Sequence, residues 1–286
     1  MHHAKPAFLL ALLLVLPGCA SRRPAAIMSW AEYQTRSVQW PYILQFDLPR
    51  GALLYYGARH TNAPAHPQVK EIERLWTAFK PTMAYNEGGS PPVEQTSDLA
   101  VERYGEAGLV RFLAARDDIP VASLDPDRGE EVAYLRQSFA ATDVKLFFVL
   151  RAVAQYIGAR GRDGVENELQ RVLAIFNRLP GLSGPPRSVE EVDSAFTSRL
   201  PGQGSYHATP LKWFDPTVDE TFLNEISRAS NEYRDRAIIA KLDRSVADDH
   251  RVFAVVGGTH VVMQERALGA LLGVRGRSPT HVGAIR

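Results

Sequence analysis

The chain has 286 residues, of which 45% are apolar, 23% charged and 9% aromatic. Lys and Arg number 33 against 32 Asp and Glu, a net charge of +1. This composition excludes wholesale disorder, collagen-like repeats and a multi-span membrane protein, and the balanced charge removes the basic footprint of a nucleic-acid binder. The single cysteine excludes an intramolecular disulfide and a cysteine-based zinc site.

Residues 1–18 read as a cleavable leader. Lys5 with His2 and His3 gives a weakly basic start, and Ala7 to Leu16 is an unbroken apolar run. As a helix that run spans about 15 Å, too short for a bilayer core of roughly 30 Å but right for a signal-peptide core. It ends in Leu16-Pro17-Gly18-Cys19-Ala20-Ser21, which resembles the lipobox of bacterial lipoproteins. The resemblance implies lipidation of Cys19 and a membrane anchor, since several acyl chains hold a protein stably on a bilayer. With no acidic residue directly after the cysteine, the expected address is the outer membrane, facing the periplasm. Residues 19–45 are expected to be a tether and N-terminal extension.

From residue 46 to about 275 the pattern is that of one α/β domain. Ala52 to Tyr56 is a strand stopped by Gly57, and Pro67 to Lys80 a helix carrying Val69, Ile72, Trp76 and Phe79 at helical spacing. Thr82 to Tyr85 reads as a strand, Leu99 to Ala115 as a helix and Pro120 to Leu124 as a third strand. Such alternation implies βαβ units around a mostly parallel sheet. About 129–200 the rhythm changes to helices at 129–140, 142–159, 164–179 and 189–200, a helical insertion expected to cover one side of the sheet. A Gly/Pro/aromatic loop at 201–216 follows, then a long helix (219–246), a buried strand (252–256) and a last helix (261–272). Residues 276–286 read as a flexible tail.

Two segments match after a shift of 200 residues: Ala52-Leu-Leu-Tyr-Tyr-Gly57-Ala-Arg-His60 and Val252-Phe-Ala-Val-Val-Gly257-Gly-Thr-His260. Each is five apolar residues, then Gly-x-x-His, then an expected helix. In an open parallel sheet the turns after the strands are where ligands bind. Glycine permits a sharp turn or close ligand approach there, so Gly57 and Gly257 are candidate binding positions. Histidine at that edge can act as metal ligand, general base or proton shuttle. Glu87, just beyond the strand Thr82 to Tyr85 and followed by two glycines, can ligate a metal, orient His60 or serve as a base. On the long helix, Arg234 of Arg234-Asp235-Arg236 is a guanidinium that can pair with Glu87 or stabilise an oxyanion.

Gly57-x-x-His60, Glu87, Arg234-Asp235 and Gly257-x-x-His260 occur in the order seen in the TraB/PrgY–GumN–Tiki superfamily, which is similar to erythromycin esterases and to haem-binding, iron-regulated lipoproteins. The resemblance runs over roughly 50–275 and implies two duplicated halves whose motifs converge on one cleft. It carries over His60, Glu87, Arg234 and His260 as site residues, with Arg234 preferred to Arg236. Tiki-like members are described as metal-dependent proteases, and erythromycin esterases as hydrolases with a histidine base. Two mechanisms follow for a small-molecule or peptide substrate. In one, His60, Glu87 and His260 hold a divalent ion (Mn, Co or Zn) that activates water while Arg234 stabilises the oxyanion. In the other, a histidine deprotonates water directly and Glu87 orients it. The alternative is a binding protein for haem or a metal, for which Tyr55, Tyr56 and Tyr85 are potential haem ligands. His66, His207, His250 and His281 lack strand-end context and read as surface residues. Ser90 lacks a nucleophile elbow, and Gly257-Gly258 lacks the Gly-Lys-Ser/Thr of a phosphate loop. The segment Ser205-Tyr206-His207 is a candidate lid.

Overall fold

A computed structural model describes residues 26–273 and 280–281; the leader, Cys19 and most of the 276–286 tail lie outside the described residues. The elements, in order, begin with α1 (Trp30–Gln34), β1 (Tyr42–Asp47), β2 (Ala52–Ala58), α2 (Pro67–Phe79), β3 (Met83–Asn86), α3 (Ser97–Arg116) and β4 (Val121–Ser123). They continue with α4 (Arg128–Leu135), α5 (Ala141–Arg160), α6 (Val165–Phe176), α7 (Val189–Arg199), two 3-10 turns, α8 (Phe222–Ala247), β5 (Arg251–Gly257), α9 (Gly258–Leu272) and β6 (Thr280–His281). The strand order is β4-β3-β5-β2-β1-β6. The four strands from β4 to β2 are mutually parallel, whereas β1 runs antiparallel to β2 and two-residue β6 antiparallel to β1. The chain is therefore α/β with a mostly parallel sheet.

Local chemistry explains the boundaries. In α2, the His66 imidazole accepts from the Gln68 N–H, Pro67 occupies the first turn, and Lys80 ends the helix in the left-handed region at φ 52°. Its buried face is Val69, Ile72, Leu75, Trp76 and Phe79, an i, i+3, i+4 stripe against the sheet. β2 and β5 are buried along almost their whole length, because both faces of the parallel sheet are covered. α2 and α3 cover one face, with Leu54, Tyr56, Phe253 and Val255 beneath them. The C-terminal half of α8 and α9 cover the other, over Leu53, Tyr55, Ala254 and Val256.

Three features depart from expectation. The helical insertion does not cover the sheet. Phe147, Phe148, Leu150, Leu169, Phe176 and Phe196 from α5, α6 and α7 form a separate core with Leu223 and Ile226 of α8. Its helices bury their apolar faces against one another and α8, leaving the sheet face to α8 and α9. Residues 26–47 fold onto the domain: Met28 is buried, its N–H bonds to the Met263 carbonyl, and β1 joins the sheet. Finally, Gly57-x-x-His60 does not open a helix. Gly57 lies inside β2, and an irregular segment carries the chain from His60 to α2 at Pro67, whereas Gly257-x-x-His260 runs straight into α9.

Candidate active site at the carboxyl edge of the sheet

Because β2, β3, β4 and β5 are parallel, their C-terminal ends share one edge, and each delivers a polar group there. His60 follows β2, Glu87 follows β3, Asp125 follows β4, and His260 follows β5 in the first turn of α9. β2 and β5 are direct neighbours, with Gly57 opposite Val256 and Ala58 opposite Gly257. The two matching segments thus lie side by side, one residue out of the register their alignment suggests.

Glu87 is the hub. Its Oε1 accepts from Arg234 Nη2 at 2.6 Å and lies 3.5 Å from His260 Nε2, and its Oε2 accepts the Gly257 N–H at 2.7 Å. Burial alone would raise this carboxyl, but the facing His260 imidazolium, Arg234 and the Gly257 amide outweigh it and hold it well below the usual range. Arg234 also reaches Asp125 Oδ1 at 3.0 Å, while Asp125 Oδ2 accepts the N–H groups of Gly88 and Gly89, each at 2.9 Å. The positive φ values of Gly88 and Gly89, 96° and 76°, allow this turn beneath Asp125. Arg236, two residues on, pairs with Glu232 at the exposed face of α8 and does not enter the site.

His260 is almost fully buried between two carboxylates. Its Nδ1 lies 2.6 Å from Asp235 Oδ1, which also accepts from Gln264 Nε2 at 2.7 Å, and Gln264 Oε1 accepts the Tyr55 hydroxyl at 2.9 Å. Desolvation opposes a charged imidazole here, yet Asp235 and Glu87 overcome it and raise His260 to about 9. His260 is therefore a fixed imidazolium at neutral pH.

His60 is its opposite: the side chain is 71% exposed, with Nδ1 3.4 Å from Glu106 Oε2. Glu106 is positioned by a break in α3. Gly105 adopts φ 58° within the helix, and its Cα packs close to the Thr61 carbonyl, where a Cβ would lie 3.1 Å from the oxygen. The kink lets Glu106 Oε1 accept the Thr61 N–H at 2.8 Å and Gln68 Nε2 at 2.6 Å. The hydrogen bond that Glu106 accepts raises the pKa of His60 above its ordinary value, with partial desolvation opposing. His60 Nε2 points to the other strand end, because a Cβ on Gly257 would lie 2.9 Å from it.

The two glycine candidates serve different ends. Gly257 gives its N–H to Glu87 and leaves room for the His60 ring. Gly57 does not line the cleft; a Cβ there would lie 2.7 Å from the Tyr42 carbonyl and 2.9 Å from the Gly258 Cα, so it admits close backbone packing. Gly258 is required by Trp40, whose ring would sit 1.6 Å from an added Cβ.

A cleft of about 530 Å³ opens over these groups. Its floor is His60, Glu87, Arg234, Gly257 and His260; Trp30, Tyr33 and Thr259 form one wall, and Arg151, Gln155, Leu211 and Phe214 another. A larger hollow of about 1110 Å³ lies between residues 26–30, α8 and α9, and contains none of His60, Glu87, Arg234 or His260. His207, in the segment read as a lid, is not among the cleft's lining residues.

The donor chemistry bears on cofactors. Among the described residues no three His, Cys, Asp or Glu side chains form a group set to hold a metal ion. Glu87 already faces Arg234 and the Gly257 amide, and His260 Nδ1 is engaged by Asp235, so the expected His60, Glu87 and His260 do not form such a group in this arrangement. The tyrosines considered for haem are buried in the sheet layers, and their hydroxyls bond to Gln264 (Tyr55), Glu71 (Tyr56) and Ser245 (Tyr85). They do not face the cleft.

Asp235, Asp125, Glu106, Gln264 and Arg151 were not singled out as site residues in the sequence. Asp125 had a signal, since it immediately follows an expected strand at the same edge. Gln264 is one helical turn from His260, and Asp235 adjoins Arg234. Glu106 and Arg151 had no comparable mark. Comparison of the chain with protein-family models, with curated proteins and with solved structures gives no match.

Proposed function

We propose that the chain is a membrane-anchored hydrolase of ester or amide bonds, related in its motifs and its two-halved plan to the TraB/PrgY–GumN–Tiki superfamily. The observation that carries this reading is the meeting of two differently tuned histidines at one sheet edge. One is exposed and backed by Glu106; the other is buried and held charged by Asp235 and Glu87. Both are raised above the ordinary value, but His260 is sealed between two carboxylates while His60 stays open to solvent, an arrangement that suits a division of labour in general acid–base catalysis. The adjacency of β2 and β5 supports the two-halved plan, in which each central strand ends in Gly-x-x-His.

In the mechanism, His60 Nδ1–H donates to Glu106 and leaves Nε2 free to take a proton from water. The hydroxide adds to the scissile carbonyl. The developing oxyanion accepts from His260 Nε2–H, whose contact with Glu87 at 3.5 Å is long enough to be exchanged. His60 then returns its proton to the departing alcohol or amine. Arg234 holds Glu87 and Asp125 in place, since its Nη2 is shared between them. The net reaction adds one water across the bond and leaves every side chain as it began.

Hydrolysis of a panel of esters and peptides by the purified protein tests this reading. Turnover is expected to survive exhaustive chelation and to fall by about 10²–10⁴ in His60→Gln. Turnover lost on chelation and restored by Mn, Co or Zn would instead support a metal-dependent site, and a Soret band on haem titration would support the binding-protein alternative. The lipid anchor is tested by Cys19→Ser, which is expected to release the protein from membranes; unchanged membrane fractionation would refute it.

A further inference from the structure

Arg151 is a cation without an assigned task in the wall of the cleft. It projects from α5, in the helical insertion, and is only partly exposed. Among the described residues it has no hydrogen-bond or ion-pair partner. Burial, and after it repulsion from Arg234, lowers its pKa to about 10, so it stays charged near neutrality. The acids that attract it are committed elsewhere. Glu131 is bound by Arg128 at 2.7 Å and by the Ser230 hydroxyl at 2.5 Å, and Glu87 by Arg234 and Gly257. Asp215, exposed at the rim of the same cleft, accepts from the N–H and hydroxyl of Thr217. A guanidinium partly desolvated beside a second guanidinium, with no carboxylate of its own, is set to take an oxyanion through its planar donor fork.

We propose that Arg151 binds an anionic group, a carboxylate or a phosphate, carried by the molecule that enters this cleft. The proposal rests on the hydrolase reading for the statement that this molecule is a substrate. The helical insertion then sets the substrate class, while the sheet edge performs the reaction. Gln155 lies one turn along α5, is exposed and lines the same wall. A carboxylate there would compete for Arg151 at i, i+4 spacing.

Isothermal titration of the full-length protein with inorganic phosphate and with succinate, at constant ionic strength, tests the site. At least one anion is expected to bind, with affinity reduced tenfold or more in Arg151→Gln and in Gln155→Glu, less in Arg151→Lys, and unchanged in Arg236→Gln, whose guanidinium lies outside the cleft. Binding of phosphate alone or succinate alone assigns the anion. Absence of binding to the wild type, or equal binding to Arg151→Gln and Gln155→Glu, would overturn the proposal; the exposed Gln155 position keeps it open to refutation should Arg151→Gln not fold. Matched neutral and succinyl nitrophenyl esters separate the two readings. Preference for the succinyl ester, lost through KM in Arg151→Gln, supports both. Anion binding that depends on Arg151 without hydrolysis of either ester retains this inference and rejects the hydrolase.

Discussion

Replacing Asp235 by Asn removes the charge behind His260 while keeping the side-chain shape. Asp235 and His260 are 1% and 7% exposed, and Asp235 Oδ1 accepts from both His260 and Gln264. Removing one partner of a buried pair leaves the other uncompensated, at a cost of about 3–5 kcal/mol. The pH dependence gives the variant a signature. His260 rises from 6.5 to about 9 on folding, which corresponds to about 3 kcal/mol of stabilisation at 1.36 kcal/mol per pH unit. Because the folded pKa is the higher one, this contribution is fully present below pH 6.5 and is lost as pH rises through 9. The difference between wild type and Asp235→Asn is therefore largest near pH 6 and closes toward pH 9.5. Urea unfolding followed by circular dichroism at half-unit pH steps measures it directly. A difference under 1 kcal/mol at pH 6, or one that stays constant up to pH 9.5, would show that His260 is not held charged by Asp235.

His60→Gln is expected to lower kcat/KM for any hydrolysed ester by about 10²–10⁴, with little change in Tm, because the side chain is 71% exposed; full activity would remove His60 from the mechanism. Glu106→Gln takes away the bond that raises His60, so the acidic limb of the rate profile should move to lower pH, as read from kcat/KM between pH 5 and 8. Gly105→Ala forces a non-glycine residue to φ 58° beside the Thr61 carbonyl and should cost about 1–2 kcal/mol, with loss of the Glu106 contact visible as a shift in the His60 titration by NMR. Gly258→Ala meets the Trp40 ring and should displace it, a change read as altered tryptophan fluorescence and a lowered Tm.

The α/β class, most helices and strands from β2 onward, and the strand-end positions of His60, Glu87 and His260 were legible in the sequence. These depend on local information: apolar periodicity, proline and glycine punctuation, and the rule that ligands gather at the carboxyl ends of parallel strands. β1 escaped notice because Tyr42 to Asp47 is a short segment with its partner supplied by the next strand, so only the hairpin makes it a strand. The helical appearance of the segment after His60 was likewise overruled, since Thr61 is tied to Glu106 and Arg59 to Gln68 before α2 can begin. The state of each site group depends on long-range packing. His60 and His260 have the same local motif, yet one is solvated beside Glu106 and the other is sealed between Asp235 and Glu87. Those carboxylates come from α3, α8 and the end of β3, and Arg151 comes from the insertion, all distant in the chain. Charge state is set by burial and by what lies within about 4 Å, and neither is written in the spacing of a single segment.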